Sequence, residues 1–287
     1  FAALGPDFYG FLLPWIFSYL GYIKPTWFLT ELEEDRDYPK ANLMGMRLDF
    51  KLTQRLQFGL SRVIMFGGKG RRSLTASDWV GILIASDSVE HSGSSIDGNQ
   101  IVSIDASYAY HNKIDIIPFS GIKLYIEWGA EDSEGETHTP TGWANVCGIY
   151  IDAPFWLSGI DLRMEWANTA RNERYGPAWY KHATYSTGYR YEGNIIGHHM
   201  GTDAQDLFIR AQYHHDEGII FGIETDMEWS GVHGTLTKKR WLGIDASYPL
   251  NEYLVMEGGA GVGDFSNPSV SQHKDGSLVW FNIHLTF

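Results

Sequence analysis

The sequence holds one cysteine, Cys147, in 287 residues, so no internal disulfide can staple it. It is poor in cations: 22 Lys and Arg stand against 35 Asp and Glu, for a formal net charge of -13. A phosphate backbone needs a basic face, so nucleic acid is disfavoured as a partner. Long apolar runs are also missing. The nearest, Phe11 to Ile23, is broken by Pro14 and interrupted by Ser18 and Tyr19, too short and mixed for a membrane-crossing helix. The start shows neither the basic segment nor the small-residue cleavage site of a signal peptide. Its abrupt apolar opening, Phe1-Ala2-Ala3-Leu4, reads as the interior of a longer protein. No tandem repeat or linker divides the chain, which is read as a single domain over residues 1–287.

What is abundant is aromatic side chain, 15% of residues with 11 Trp and 16 Tyr, arranged in strict alternation. Met44, Met46, Leu48, Phe50 and Leu52 oppose Gly45, Arg47, Asp49 and Lys51. Ile122, Leu124, Ile126 and Trp128 oppose Lys123, Tyr125 and Glu127. Leu162, Met164 and Trp166 oppose Asp161, Arg163 and Glu165, and Phe221, Ile223, Met227 and Trp229 oppose Glu224, Asp226 and Glu228. A period of two means strands with one apolar and one charged face. A soluble sandwich also alternates. The length of about ten residues, the Trp and Tyr near strand ends and the full charges of both signs on the polar face favour instead an all-β, transmembrane antiparallel barrel.

About twelve strands are expected, at 14–23, 42–52, 56–67, 100–110, 121–131, 146–156, 159–168, 206–215, 219–230, 240–249, 252–265 and 277–287. Alternate connections are short: Thr53–Arg55, His111–Ser120, Leu157–Ser158, Asp216–Gly218 and Leu250–Asn251. The others are mostly long: Lys24–Ala41, Gly68–Asn99, Asp132–Asn145 and Thr169–Gln205. Short periplasmic turns and long extracellular loops are the asymmetry of bacterial outer-membrane barrels. The last strand alternates Val279, Phe281, Ile283, Leu285 and Phe287 with polar neighbours and ends on an aromatic residue, like the terminal insertion signal of such proteins. Leu74 to Ala85 reads as a short helix capped by Thr75 or Ser77, with Trp79, Ile82 and Leu83 in need of a burial partner.

Candidate chemistry is sparse. His214 and His215 lie on a strand, where adjacent residues face opposite ways, while His198 and His199 lie in a loop and could share an ion; neither pair matches a metal-ligand spacing, so no metal site is expected. No Gly-x-Ser-x-Gly turn marks a nucleophile, so no catalytic residues are assigned. Gly67-Gly68-Lys69-Gly70 lacks the context of a phosphate loop. On the polar face, Arg47 with Asp49, Lys123 with Glu127, and Arg163 with Asp161 and Glu165 are expected to neutralise one another across a filled lumen. The basic loop residues Lys69, Arg71 and Arg72, Arg171, Arg174 and Arg190, and Lys238 and Lys239 gather at the expected outer end, with Trp143, Tyr175, Trp179 and Tyr189. Contact with lipopolysaccharide phosphates and outer-membrane lipids is the plain reading. Recognition of an acidic surface glycan, with rings stacking on sugars, is the sharper one.

The sequence resembles the Wzi family of capsule-assembly outer-membrane proteins. The likeness lies in Met44-Gly45-Met46-Arg47-Leu48-Asp49-Phe50, in Gly59-Leu60-Ser61-Arg62 with Phe66-Gly67-Gly68, in Gly98-Asn99-Gln100 before the strand carrying Asp105, and in Trp128-Gly129-Ala130-Glu131-Asp132. The longest block runs Tyr185-Ser186-Thr187-Gly188-Tyr189-Arg190-Tyr191-Glu192-Gly193, then Ile196-Gly197-His198, between Trp179 and Asp203. The resemblance implies a barrel of about eighteen strands, closed by loops and extracellular helices. It implies a non-enzymatic, lectin-like role in attaching or organising capsular polysaccharide at the bacterial surface, with no cofactor. Because this chain supplies about twelve strands, additional N-terminal strands or a partner chain are expected to complete the barrel. The competing functions are a porin or sugar-selective channel, separable by conductance, and an outer-membrane hydrolase, separable by hydrolysis of lipid or peptide substrates.

Overall fold

A computed structural model of the chain describes residues 22–84, 96–111, 116–134, 139–170, 179–251, 253–267 and 272–285. Among these, the long strands are β1 Tyr22–Glu31, β2 Asn42–Lys51, β3 Leu56–Phe66, β4 Asn99–His111, β5 Gly121–Glu134, β6 Thr139–Asp152, β7 Ile160–Asn168, β10 Ala204–His214, β11 Ile220–Ser230, β12 Thr237–Asn251, β13 Leu254–Asn267 and β14 Gln272–Leu285. They form one twelve-stranded antiparallel sheet in chain order, from β1 to β14. A helix, α1 (Ala76–Ile84), follows β3, and the short strands β8 (Arg190–Tyr191) and β9 (Asn194–Ile195) pair as a separate hairpin. By their contacts the residues group into two units. One comprises Phe1–Ala106, Glu127–Ala144 and Arg174–Thr202; the other comprises Ser107–Ile126, Asn145–Glu173 and Asp203–Phe287.

Burial is inverted relative to a soluble protein. Phe221, Ile223, Leu242, Ile244, Phe281 and Ile283 are all at least half exposed, and Val279 reaches 80%. Asp161, Asp206 and Glu228 of the opposite face are buried. Water tolerates scattered exposed apolar side chains but not a whole sheet face of them. Within β5 and β6, Trp128 packs on Trp143 with ring centroids 5.5 Å apart, and near the ends of β7 and β11 Trp166 lies 6.2 Å from Trp229.

Several boundaries differ from the sequence reading. The first described strand is Tyr22–Glu31 rather than 14–23, whose residues 14–21 lie outside the described ones, so the expected loop Lys24–Ala41 shortens to residues 32–41. Pro25 stands opposite Leu48 in the β1–β2 ladder. The expected long connection Asp132–Asn145 is mostly strand, since β5 reaches Glu134 and β6 begins at Thr139. β6 stops at Asp152 instead of 156, because Ala153 turns left-handed at φ 48° and Pro154 opens a short 3-10 turn.

In the first unit, α1 begins after Thr75. The backbone N–H of Asp78 donates to the Thr75 hydroxyl at 3.3 Å and the Asp78 carboxylate accepts from the Thr75 N–H at 2.6 Å, a reciprocal cap. The Arg72 and Thr75 hydrogen bonds hold the Asp78 carboxyl well below the usual carboxylate range. Ile82 is fully buried with Met44, Ile64 and Phe66, and Trp79 meets the Phe66 ring edge-on at 5.4 Å. Leu83, expected to be buried, is 50% exposed. No cation stands in the last turn of the helix; Arg62 of β3 supplies one, donating to the Ile82 carbonyl.

In the second unit the polar face is laced across strands. Arg210 on β10 donates to Glu224 on β11 at 2.6 Å and to Asp245 on β12 at 2.7 Å. The Tyr125 hydroxyl on β5 donates to Glu165 on β7 at 2.6 Å, passing over Gly148 of β6, where a Cβ would collide with the ring.

Candidate functional site

The first unit gathers the loop chemistry around segment 179–202. Tyr185 and Tyr189 are buried rather than presented. The Tyr189 hydroxyl donates to the carbonyls of Asn99 at 2.8 Å and Val63 at 3.2 Å; that of Tyr185 donates to the Gly67 carbonyl at 3.1 Å. Burial pushes the Tyr189 phenol well above its ordinary range and that of Tyr185 up to about 12. Arg36 clasps the same segment: its side chain is enclosed, and it donates to the carbonyls of Gly188 at 3.1 Å and Arg190 at 3.2 Å. Asp37 accepts from the Thr187 hydroxyl at 2.7 Å. Burial opposes ionisation of Asp37, but the Thr187 hydroxyl and the backbone N–H groups of Tyr38 and Thr187 still hold its carboxyl below the usual range. Gly188, at φ 68°, passes so close to the Tyr180 carbonyl that a Cβ would collide. Trp179 is buried against Gly129, where again no Cβ fits, and Glu131 accepts the Tyr180 N–H.

The predicted glycan residues therefore separate. Trp179 and Tyr189 are packing elements. Trp143, expected in a loop, lies within β6 and forms an exposed ring pair with Trp128 of β5. Arg171, Arg174 and Tyr175 lie outside the described residues. Lys69 pairs with Glu34, Arg72 with Asp78 at 2.7 Å, and Lys239 with Glu228 at 2.7 Å. The Lys69 hydrogen bond holds the Glu34 carboxyl below its usual range. Arg71 lies over the rings of Tyr38 at 5.2 Å and Tyr185 at 5.8 Å and donates to the Ile96 carbonyl at 2.9 Å. Lys238 is half-buried on β12. Arg190 stays exposed at the start of β8, at the base of the β8–β9 hairpin, donating to the Gly193 carbonyl at 3.1 Å, next to Tyr191 at 45% exposure. Among the described residues, these cations thus form a mixed, mostly paired set and not a bare basic patch.

On the polar face, Arg47 meets Asp49 at 2.8 Å and also Asp105 at 2.7 Å. Arg163 pairs with Glu165 at 2.8 Å, while Asp161 instead takes His214 at 2.6 Å. Lys123 sits 5.9 Å from the Tyr125 ring centroid and no ion pair joins it to Glu127. Four residues along one strand span roughly 13 Å, too far for ready pairing. Asp105, His214 and Tyr125 were the partners that sequence reasoning missed. They lie on other strands or just beyond the charged window, and only register brings them in.

The capsule assembly protein Wzi family matches residues 9–277. The chain belongs to that family. A solved structure of Wzi, an outer-membrane protein involved in group 1 capsule assembly in Escherichia coli and described as a carbohydrate-binding β-barrel, superposes with a TM-score of 0.70 at 16% identity, over 95% of this chain and 58% of that one. The likeness shows a shared fold, and this chain spans 58% of the length of that relative. The monoaromatic hydrocarbon channel CymD is far less similar, with a TM-score of 0.38 at 10% identity over 92% of this chain and 78% of that one. No curated protein matches the chain.

Proposed function

We propose that this chain is the larger part of a non-enzymatic outer-membrane barrel that attaches or organises capsular polysaccharide at the bacterial surface. Family membership carries this reading. The exposed apolar sheet face supports immersion in lipid, since buried carboxylates and exposed aromatics invert the order of a water-soluble domain. The loops of residues 32–41, 67–98 and 169–203 are extracellular in this reading, and the turns at 52–55, 153–159 and 215–219 periplasmic. Further strands, from the same protein or a partner chain, complete the barrel, because sheet edges in hydrocarbon leave backbone groups unpaired at several kcal/mol each. Lipopolysaccharide and membrane lipid surround the rim. Arg190 and Tyr191 are the best-presented pair for a sugar ring.

The test is binding of purified protein to capsular polysaccharide from the same cells. Saturable binding is expected, reduced at least fivefold by the double substitution Arg190→Ala and Tyr191→Ala. Absence of any binding by the unmodified protein would sink the reading.

A further inference from the structure

We propose that the polar face of the second unit carries a separate site for a neutral pyranose ring, with Trp241 and Trp280 as its stacking platforms. The run Gly258-Gly259-Ala260-Gly261-Val262-Gly263 in β13 is the first pointer. Glycine weakens a strand interior unless something must approach the backbone closely. Here two indoles do. Register sets Gly263 opposite Trp241, Gly261 opposite Gly243 on β12, and Gly259 opposite Trp280 on β14. A Cβ at Gly261 would collide with the Trp241 ring, and one at Gly259 would stand 2.7 Å from Trp280 Nε1. The glycines are thus a floor on which both rings lie down over the sheet.

The two rings line one cavity of about 350 Å³, with Arg210, Gln212, Glu224, Asp245, Ser247 and Glu257. That volume is at the small end of ligand pockets, which span roughly 300–1,000 Å³, and suits one or two sugar rings. The polar groups are preorganised. Arg210 holds one oxygen each of Glu224 and Asp245, at 2.6 and 2.7 Å, and His284 meets one oxygen of Glu257 at 3.0 Å. Each carboxylate keeps its second oxygen as an acceptor. A pyranose offers the complement: an apolar C–H face for an indole and a ring of hydroxyl donors for carboxylates, with Gln212 and Ser247 as neutral partners. Three carboxylates against one guanidinium repel an acidic sugar, so the site selects a neutral one. It belongs wholly to the second unit and does not depend on glycan binding at the Arg190–Tyr191 hairpin.

The alternative is that the indoles merely cover glycines in a strand. The full chain in detergent micelles, labelled with 5-fluorotryptophan, separates the two. Fluorine resonances of Trp241 and Trp280 are assigned with Trp241→Phe and Trp280→Phe. Methyl glucoside, methyl galactoside and methyl mannoside are titrated, with glucuronate as the acidic comparison and a neutral oligosaccharide as the longer probe. Saturable shifts of both resonances are expected with at least one neutral methyl glycoside or the oligosaccharide, at least fivefold weaker with glucuronate and at least fivefold weaker in Glu257→Gln. Binding of the single sugar supports a site for free sugar; binding of the oligosaccharide alone supports a site for a polysaccharide segment. The Arg190→Ala, Tyr191→Ala variant is expected to bind as tightly as the parent. No shift with any neutral probe, equal binding of glucuronate, or unchanged affinity in Glu257→Gln would each overturn the site. If Trp280→Phe fails to fold, the Glu257→Gln comparison still decides.

Discussion

Arg47 reaches Asp105 across the strand that separates them. From β2 its Nη1 donates to the Ser61 hydroxyl of β3 at 2.8 Å and to Asp105 of β4 at 2.7 Å, while Nη2 lies 3.1 Å from the other carboxylate oxygen. The crossing passes over Gly59, where any Cβ would collide with both partners. Arg210 repeats the device over Gly222, again with no room for a Cβ, to reach Asp245.

These crossings make glycine a packing requirement at two sites. Gly59→Ala and Gly222→Ala should each lower unfolding stability by about 1–3 kcal/mol, the cost of overpacking. Gly276→Ala, with nothing within 4 Å of its added Cβ, should lose none. Urea unfolding in detergent micelles measures all three, and equal losses would remove the crossing argument.

The clasp on segment 179–202 should loosen when its hydrogen bonds are cut singly. Tyr189→Phe removes the hydroxyl donor shared by the part-buried Val63 carbonyl and the buried Asn99 carbonyl, at about 1–3 kcal/mol. Limited proteolysis should cut that segment several-fold faster in the variant, with the rest of the barrel unchanged.

Tyr185 gives a pH signature. Its phenol is raised by burial from an ordinary 10.0 to about 12. The folded state then holds a proton that the unfolded chain releases first, so stability is constant below pH 10.0 and falls as pH rises through about 12. Ultraviolet difference titration, parent against Tyr185→Phe, should lose a late-ionising phenol. A Tyr185 titrating at its ordinary value would contradict the buried placement.

Topology can be read on intact cells. In a Cys147→Ser background, a cysteine at Glu192 should accept an impermeant maleimide, and one at Leu157 should react only after the outer membrane is permeabilised. The reverse pattern would invert the orientation.

Strand faces were legible because alternation survives any local detail: Met164 and Phe221 were assigned to the apolar face and are exposed there. Loop ends were less so. Nothing local distinguishes Thr139 to Ala144 from a loop, since Pro140 and Gly142 read as turn residues, yet the ladder extends through them. The candidate site was harder still. Tyr189 and Arg190 are neighbours of similar surface chemistry in sequence, and only the packing of their segment buries one ring and leaves the next cation in water. Arg36 was hidden in an acidic run, Glu31 to Asp37, that reads as solvated surface.

If strands are added in chain order, the side chains that skip a strand also make each new strand secure an older one. A hairpin of β2 and β3 satisfies its own ladder but leaves Arg47 with Asp49 and Ser61 alone, and its second carboxylate arrives with β4. Arg210 likewise waits for β12 after β11 has paired. Timed cross-linking of cysteine pairs across successive strands would read that sequence of events. Each new strand then secures the one laid down two steps earlier, and the growing sheet becomes harder to unzip behind its advancing edge.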